Sequence, residues 1–371
     1  MGRLLKVLFL CLFVLNSTWA DETWTIKSAA GDYTSLAAAY TAKGDVDYTG
    51  KGVVGFECYS GFDMGVVSMG GGSNWDASNY LRIYAAAGEE HDGKTTANDG
   101  CYIDVGNGGT GVINTMPYSR LEGIRIQVDA GAEWNSADAI QFSDWSGIVI
   151  DGVVVVMADR NNAFYECVTV GSTLAPTDSP VIKNCSIYYL GAGSFESPGI
   201  RLDYLSFDAG DTSGTIYLYD NTVYQAEDGF TVGADKSSTG TPTLFVVSTG
   251  NVAMGSTGTG DFVDNSAGGG VLDMTQTYCC SGDITADDWT GAGNLISKTA
   301  INQWVSVGSD HMVKDTDADI YAAGVDIGSV TVDILGTSRK DPPDIGAYEI
   351  AGAGGTTKKR AVSAFSGFIG R

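Results

Sequence analysis

The chain is 371 residues long, 43% hydrophobic and strongly acidic, with 45 Asp and Glu against 21 Lys and Arg and a formal net charge of −24. A surface of that sign repels nucleic-acid phosphates and anionic membranes over a Debye length, so no nucleic-acid partner is expected and polyanionic sugars are disfavoured without a bridging cation. Gly 51 against Pro 7 fits a turn-rich β protein rather than a disordered chain.

Residues 1–20 read as a secretory signal. Arg3 and Lys6 give a positive end, residues 7–15 an apolar run, and Thr18-Trp19-Ala20 a cleavage site before Asp21. That run is too short to span a bilayer and no later stretch is longer, so the expectation is a secreted or cell-surface protein with no membrane span. Residues 21–350 read as one domain, because no linker interrupts the pattern described below. Residues 351–371 change character: a Gly-rich linker is followed by Lys358-Lys359-Arg360, the one basic cluster of an acidic chain.

A short strand is predicted over 24–27, followed by a helix over 35–40 with Thr34 or Asp32 as N-cap. Lying across an open end, such a helix would block edge-to-edge polymerisation. Strands follow over 53–59, 66–69 and 80–84, then a polar excursion from Glu89-Glu90-His91-Asp92-Gly93, then a strand over 101–105. From there one pattern returns once per roughly thirty residues. It reads Leu121-Glu122-Gly123-Ile124-Arg125-Ile126, Ile150-Asp151-Gly152-Val153-Val154-Val155, Ile182-Lys183-Asn184-Cys185-Ser186-Ile187, Tyr219-Asp220-Asn221-Thr222-Val223 and Thr249-Gly250-Asn251-Val252, with a degenerate copy at Met274-Thr275-Gln276-Thr277-Tyr278. A second strand pattern precedes most copies, opening at Asp138, Glu166, Pro198, Asp228 and Asp261.

Each copy is too short to bury its own apolar side, and the apolar residues alternate instead of recurring at helical spacing. The predicted fold is all-β: a right-handed parallel β-helix (solenoid) with a short N-terminal capping helix. Asn184, Asn221 and Asn251 are expected to stack as an amide ladder in one recurring turn. Tyr217 and Tyr219 alternate with Ile216 and Leu218 and are expected to point outward. Cys101, Cys167 and Cys185 read as small buried apolar groups, and no disulfide is predicted for them or for Cys279-Cys280.

Gly31-Asp32-Tyr33-Thr34-Ser35-Leu36-Ala37-Ala38-Ala39 resembles the opening segment of secreted β-helix proteins of the pectate-lyase-like superfamily. Asp333-Ile334-Leu335-Gly336-Thr337-Ser338-Arg339, followed by Asp344-Ile345-Gly346-Ala347-Tyr348-Glu349, resembles the closing segment of many bacterial and phage β-helix proteins. The resemblance covers roughly residues 22–350 and implies the architecture, but no single activity, because this fold hosts lyases, hydrolases, adhesins and inert spacers. The Gly-His-Gly and Arg-Ile-Lys signatures of polygalacturonases and the Arg-x-Pro-x-x-Arg segment of pectate lyases are absent, and His91 and His311 are the only histidines.

If register holds, Asp138, Glu166, Asp228 and Asp261 stand near one longitudinal line. Paired carboxylates suit a glycoside hydrolase, or a calcium-assisted polysaccharide lyase; an Asp before Gly is also an ordinary turn former. Arg125, Arg160, Lys183 and Arg201 are the basic residues available to a lyase, none with a second cation beside it in sequence. Asp315, Asp317 and Asp319 have the alternate spacing of a calcium loop, with Ile320 where an EF-hand loop needs glycine. Trp75, Trp134, Trp145, Trp289 and Trp304, with tyrosines 188, 189, 204, 217, 219 and 224, offer stacking faces for sugars or residues for the core. Two functions follow: a β-helix that binds, and as an enzyme would cleave, a polysaccharide or cell-surface glycan along its side, or a non-catalytic adhesin or virion-associated spacer. For the closing segment, strand alternation predicts Ile345 and Ala347 pointing into the last coil and Asp344, Gly346 and Tyr348 facing out or into a capping loop. Arg339 is expected to fold back on Asp333, Asp344 or Glu349 in a partly exposed pair that closes the last coil.

Overall fold

Six times along the described chain three short strands follow in succession, and each triple after the first lies on the three strands before it. The computed structural model describes residues 21–44, 47–71, 73–96, 98–106, 110–114, 116–128, 138–143, 146–158, 167–170, 178–190, 198–207, 214–236, 243–266 and 270–350. The expected signal segment and the basic tail lie outside these residues. Among them, the strands form three parallel sheets of nine, seven and seven strands. The first sheet runs from Glu22–Ile26 to Val271–Thr277, the second from Tyr102–Val105 to Cys280–Ser281, and the third from Val67–Met69 to Phe262–Asp264. This is the parallel β-helix expected from the in-phase alternation.

Strand parity builds the interior. The column Phe56, Ile83, Leu121, Ile150, Ile182 and Leu218 points inward from the first sheet, rung upon rung. Opposite it stand Ile126, Val155, Ile187 and Val223 of the second sheet. The third contributes Ile140, Val168, Ile200 and Phe230, the last stacked on Phe262 with centroids 4.9 Å apart. All six described cysteines are buried, and none is joined in a disulfide. The helix spans Leu36–Lys43, and Leu36, Ala39 and Tyr40 seal the first coils. Its N-cap is Ser35, whose Oγ accepts from the Ala38 N–H at 3.2 Å, and not Thr34 or Asp32. Asp32 is committed elsewhere, accepting from the N–H and hydroxyl of Thr25 at 2.8 and 2.9 Å.

The amide ladder needs a correction of register. Asn184 pairs with Asp220, and both adopt the left-handed conformation that Gly123, Gly152 and Gly250 adopt at the same corner. The stacked amides stand one position later. Asn251 Oδ1 accepts from the Asn221 N–H and amide at 3.0 and 2.9 Å, and Asn221 Oδ1 accepts from the Cys185 N–H at 3.0 Å. Asn294 repeats the motif beneath the Cys279 N–H at 2.9 Å. Asn221 and Asn251 are buried and Asn294 is half-buried, and each satisfies a turn amide that no strand can reach.

The closing segment departs from expectation. Asp344, Ile345, Ala347, Tyr348 and Glu349 are all buried and form no strand. The reason is that both sides are covered. Beyond Cys280–Ser281 the chain turns back through the hairpin Trp304–Ser306 and Asp310–Val313, and residues up to 350 lie along the outside of the second sheet as a strap. Ile345 packs with Val252 and Met254, and Ile334, Ala347 and Tyr348 pack with Val154, Val156 and Tyr188. Those residues of the second sheet are its outward set, which explains why Val153-Val154-Val155-Val156 is apolar on both faces. The segment therefore covers a flank of the solenoid and not its terminal coil. Gly346 (φ 98°) permits the approach, since a Cβ there would meet Thr222 Oγ1 at 2.8 Å and Val252 Cγ2 at 3.0 Å.

Arg339 is also more deeply placed than expected, with its side chain 5% exposed. Its guanidinium faces Asp220 Oδ2 at 3.4 Å and Glu349 Oε2 at 3.7 Å. It donates to Asn184 Oδ1 at 3.0 Å and to the carbonyls of Asp344 and Gly346 at 3.1 and 2.8 Å. Asp333 does not pair with it directly, but accepts from the N–H groups of Leu335, Thr337 and Glu349.

Candidate functional site

With the second sheet covered, the outward face of the first sheet is the long side on which side chains of successive coils gather. Register places Glu57, Tyr84, Glu122, Asp151, Lys183 and Tyr219 in one outward column. Beside it run Arg82, Arg120, Val149, Val181, Tyr217 and Val247. Arg82 reaches Glu122 at 2.6 Å and lies 4.3 Å from the Tyr84 ring centroid, while the Arg120 guanidinium lies 4.0 Å from that of Tyr80. Burial raises the phenols of Tyr80 and Tyr84, so both remain hydroxyl donors at neutral pH. Farther along, Tyr217 and Tyr219 point outward as expected, their rings 5.5 Å apart. Four rungs separate Tyr84 from Tyr219, about 19 Å at the usual strand spacing. Lys183 pairs with Asp151 at 3.6 Å and donates to the Ser329 carbonyl at 3.1 Å, so the strap forms one rim of this face.

The line of carboxylates resolves differently. Asp138 and Asp228 each stand two residues before a third-sheet strand residue of one column, Ile140 and Phe230, whereas Asp261 falls one position later, opposite Gly229. Asp228 Oδ1 accepts from the N–H groups of Thr259 and Gly260 at 2.7 and 3.1 Å. Asp261 is buried; its Oδ2 accepts from Gly282 at 2.6 Å, its Oδ1 from Ser256, and its own N–H donates to Asp283 at 2.9 Å. Burial pushes the Asp261 carboxyl up to about 6. Asp228 and Asp261 tie their turns to the turn of the next coil. Asp138 is nearly buried, and Glu166 lies outside the described residues.

Asp315, Asp317 and Asp319 do not converge. Asp315 Oδ1 accepts from the Asp317 N–H at 2.9 Å, and Asp319 holds Lys298 at 3.0 Å and the Gln303 amide at 2.8 Å. Among the described residues no three His, Cys, Asp or Glu side chains form a cation-binding group. Of the basic candidates, Arg125 is buried and donates to the carbonyls of Lys94 and Thr95 at 2.6 and 2.9 Å. Arg201 is half-buried in the third sheet, and Arg160 lies outside the described residues. Trp304 is core, Trp75 stacks on Tyr48 and Trp289 is half-buried; Trp134 and Trp145 are not among the described residues.

Both histidines are structural. His91 Nε2 meets the Gly152 carbonyl at 2.8 Å. His311 stacks on Tyr188 at 3.7 Å; its Nε2 faces the Val307 carbonyl at 3.1 Å, and its Nδ1 therefore accepts from the Ser186 hydroxyl at 3.1 Å. A Ser–His contact of this kind is a nucleophile–base geometry, but it is sealed under the strap where no substrate reaches. Burial holds the His311 pKa down to about 3 from its ordinary 6.5. The folded protein thus keeps this ring neutral where the unfolded chain protonates it, so its contribution is complete above pH 6.5 and is lost as pH falls toward 3. Asp220 and Asp261, raised by burial to about 7 and 6, act oppositely and lose stability as pH rises out of the ordinary carboxylate range. The expected result is that the stability difference between wild type and His311→Gln shrinks by about 3 kcal/mol between pH 7.5 and 4.5. Urea unfolding midpoints at the two pH values measure it, and a pH-independent difference would count against a neutral buried ring.

The face built by Tyr80, Arg82, Tyr84, Arg120 and Glu122 was not singled out from sequence. Its signal is present, as outward alternation in Tyr80-Leu81-Arg82-Ile83-Tyr84 and Arg120-Leu121-Glu122, but it becomes a cluster only when the two strands are placed in register. Comparison with family models, with curated proteins and with solved structures gave no match to this chain.

Proposed function

We propose that the protein is a secreted or surface-associated β-helix protein that binds a polysaccharide chain along the outward face of its first sheet, without cleaving it. The observation that carries this reading is the run of tyrosines and guanidinium groups at one end, Tyr80, Arg82, Tyr84 and Arg120, continued by Tyr217 and Tyr219 about 19 Å farther on. Tyrosine rings supply sugar-stacking area with a polar tip, and carboxylate–guanidinium pairs such as Arg82–Glu122 offer both donors and acceptors to hydroxyls. Binding is favoured over cleavage because Asp228 and Asp261 are spent on turn backbone and Glu122 and Asp151 each hold a cation. The resemblance of the opening and closing segments to secreted β-helix proteins of the pectate-lyase-like superfamily agrees with a carbohydrate ligand, and the signal-like residues 1–20 agree with export.

The test is retention on a panel of immobilised neutral and acidic polysaccharides, with and without calcium. Tyr84→Ala with Tyr219→Ala is expected to weaken binding about tenfold or more while leaving the fold intact. If no polysaccharide retains the wild-type protein, the glycan reading fails and the spacer reading takes its place; release of reducing or unsaturated ends would instead overturn the non-cleaving part.

A further inference from the structure

The three sheets do not end together. The last strand of the first sheet, Val271–Thr277, is followed by a further rung at Thr290, and the last of the second, Cys280–Ser281, by one at Leu295. The third sheet stops at Phe262–Asp264. Where its next strand would lie, the chain forms the short 3-10 turn Thr285–Asp287, held by Thr285 Oγ1 accepting from the Phe262 N–H at 3.0 Å. A turn is bulkier and shorter than the strand it replaces, and beside it a depression of about 370 Å³ opens, lined among others by Thr259, Phe262, Asp264, Asp288 and Trp289. That volume lies within the range of small-molecule sites.

The lining is unlike the rest of this end of the solenoid. Asp228, Asp261 and Asp283 spend their carboxylates on backbone N–H groups. Asp288, by contrast, makes no side-chain hydrogen bond or ion pair among the described residues, and Asp264 uses only Oδ1, on the Ser266 N–H at 2.8 Å. Both are exposed, and the half-buried Trp289 that lines the same depression is backed by the main core. An indole wall with two carboxylates carrying free lone pairs selects a flat apolar surface edged by several hydroxyl donors. The same carboxylates repel an acidic ring.

We propose that this depression is a second carbohydrate site, binding a single neutral hexose ring stacked on Trp289 with its hydroxyls donating to Asp264 and Asp288. The site is independent of the first-sheet face, since it belongs to the third sheet and needs neither its tyrosines nor its arginines.

The experiment is a tryptophan-fluorescence titration of the full chain with the methyl glycosides of glucose, galactose and mannose. At least one is expected to give a saturable change, abolished in Trp289→Ala and shifted at least tenfold to weaker binding in the double variant Asp264→Asn, Asp288→Asn. The two asparagines are exposed and isosteric, so this variant carries the test if Trp289→Ala does not fold. Tyr84→Ala with Tyr219→Ala should leave the titration unchanged while reducing polysaccharide retention, which separates this site from the first-sheet face. No saturable change with any of the three sugars, or an unaltered midpoint in the asparagine variant, overturns the proposal.

Discussion

Arg339→Met is expected to destabilise the docking of the strap by about 3–5 kcal/mol, because it leaves the buried Asp220 carboxyl without its paired guanidinium, while Glu349 keeps Lys340 at 2.8 Å. Arg339 bridges the solenoid and the strap at this corner: Asp220 and Asn184 belong to successive coils, while Glu349 and the carbonyls of Asp344 and Gly346 belong to the closing segment. The site was built tightly around Asp220; a Cβ on Gly250 would lie 2.0 Å from its Oδ1, and Gly250 takes φ 71°. Burial already raises the Asp220 carboxyl to about 7 with the guanidinium in place. Arg339→Lys should recover only part of the loss, since an ammonium has three donors and no fork to bridge these groups. Asp220→Asn in the Arg339→Met background should recover more, by removing the unpaired charge. Urea unfolding, followed by the protection of the 304–350 segment against limited proteolysis, measures this. An Arg339→Met midpoint equal to wild type would falsify the role assigned to the guanidinium.

Truncation before Asp333 is expected to have the larger effect. It removes Arg339 and uncovers Val154 and Val156, and part of Tyr188 and Val252, on the outside of the second sheet, at roughly 1.5–3 kcal/mol for each large apolar side chain fully returned to water. It also strips Tyr188 of Tyr348, whose hydroxyls lie 3.0 Å apart beneath the strap. The truncated chain should bind a hydrophobic dye and associate, because an apolar sheet face of several coils is then open to a second copy. Because solenoid coils couple mainly to their neighbours, the coils far from the strap should keep their strand signal. Size-exclusion chromatography with dye binding and circular dichroism distinguishes these effects. A monomeric truncated protein with unchanged melting would show that the strap does not hold this face.

The sequence alone determined the kind of fold. Alternation of period two, repeated in phase about every thirty residues, leaves each unit with an apolar side that only its neighbours can bury, and this holds without any knowledge of distant contacts. The same local logic placed the N-terminal helix, the inward cysteines and the outward Tyr217 and Tyr219. It failed where a corner changes length by one residue, because a slip of one exchanges the turn position for the interior: Asn184 fell with Asp220 and not with Asn221, and Asp261 fell opposite Gly229. Only the tertiary structure decided which outward residues meet water. Val154 and Tyr217 occupy equivalent outward positions in their strands, yet a segment nearly two hundred residues later covers the first and leaves the second on the open face. No periodicity encodes that choice, because it depends on where an irregular strap lies down and on which buried charges, here Asp220 and Arg339, meet when it does.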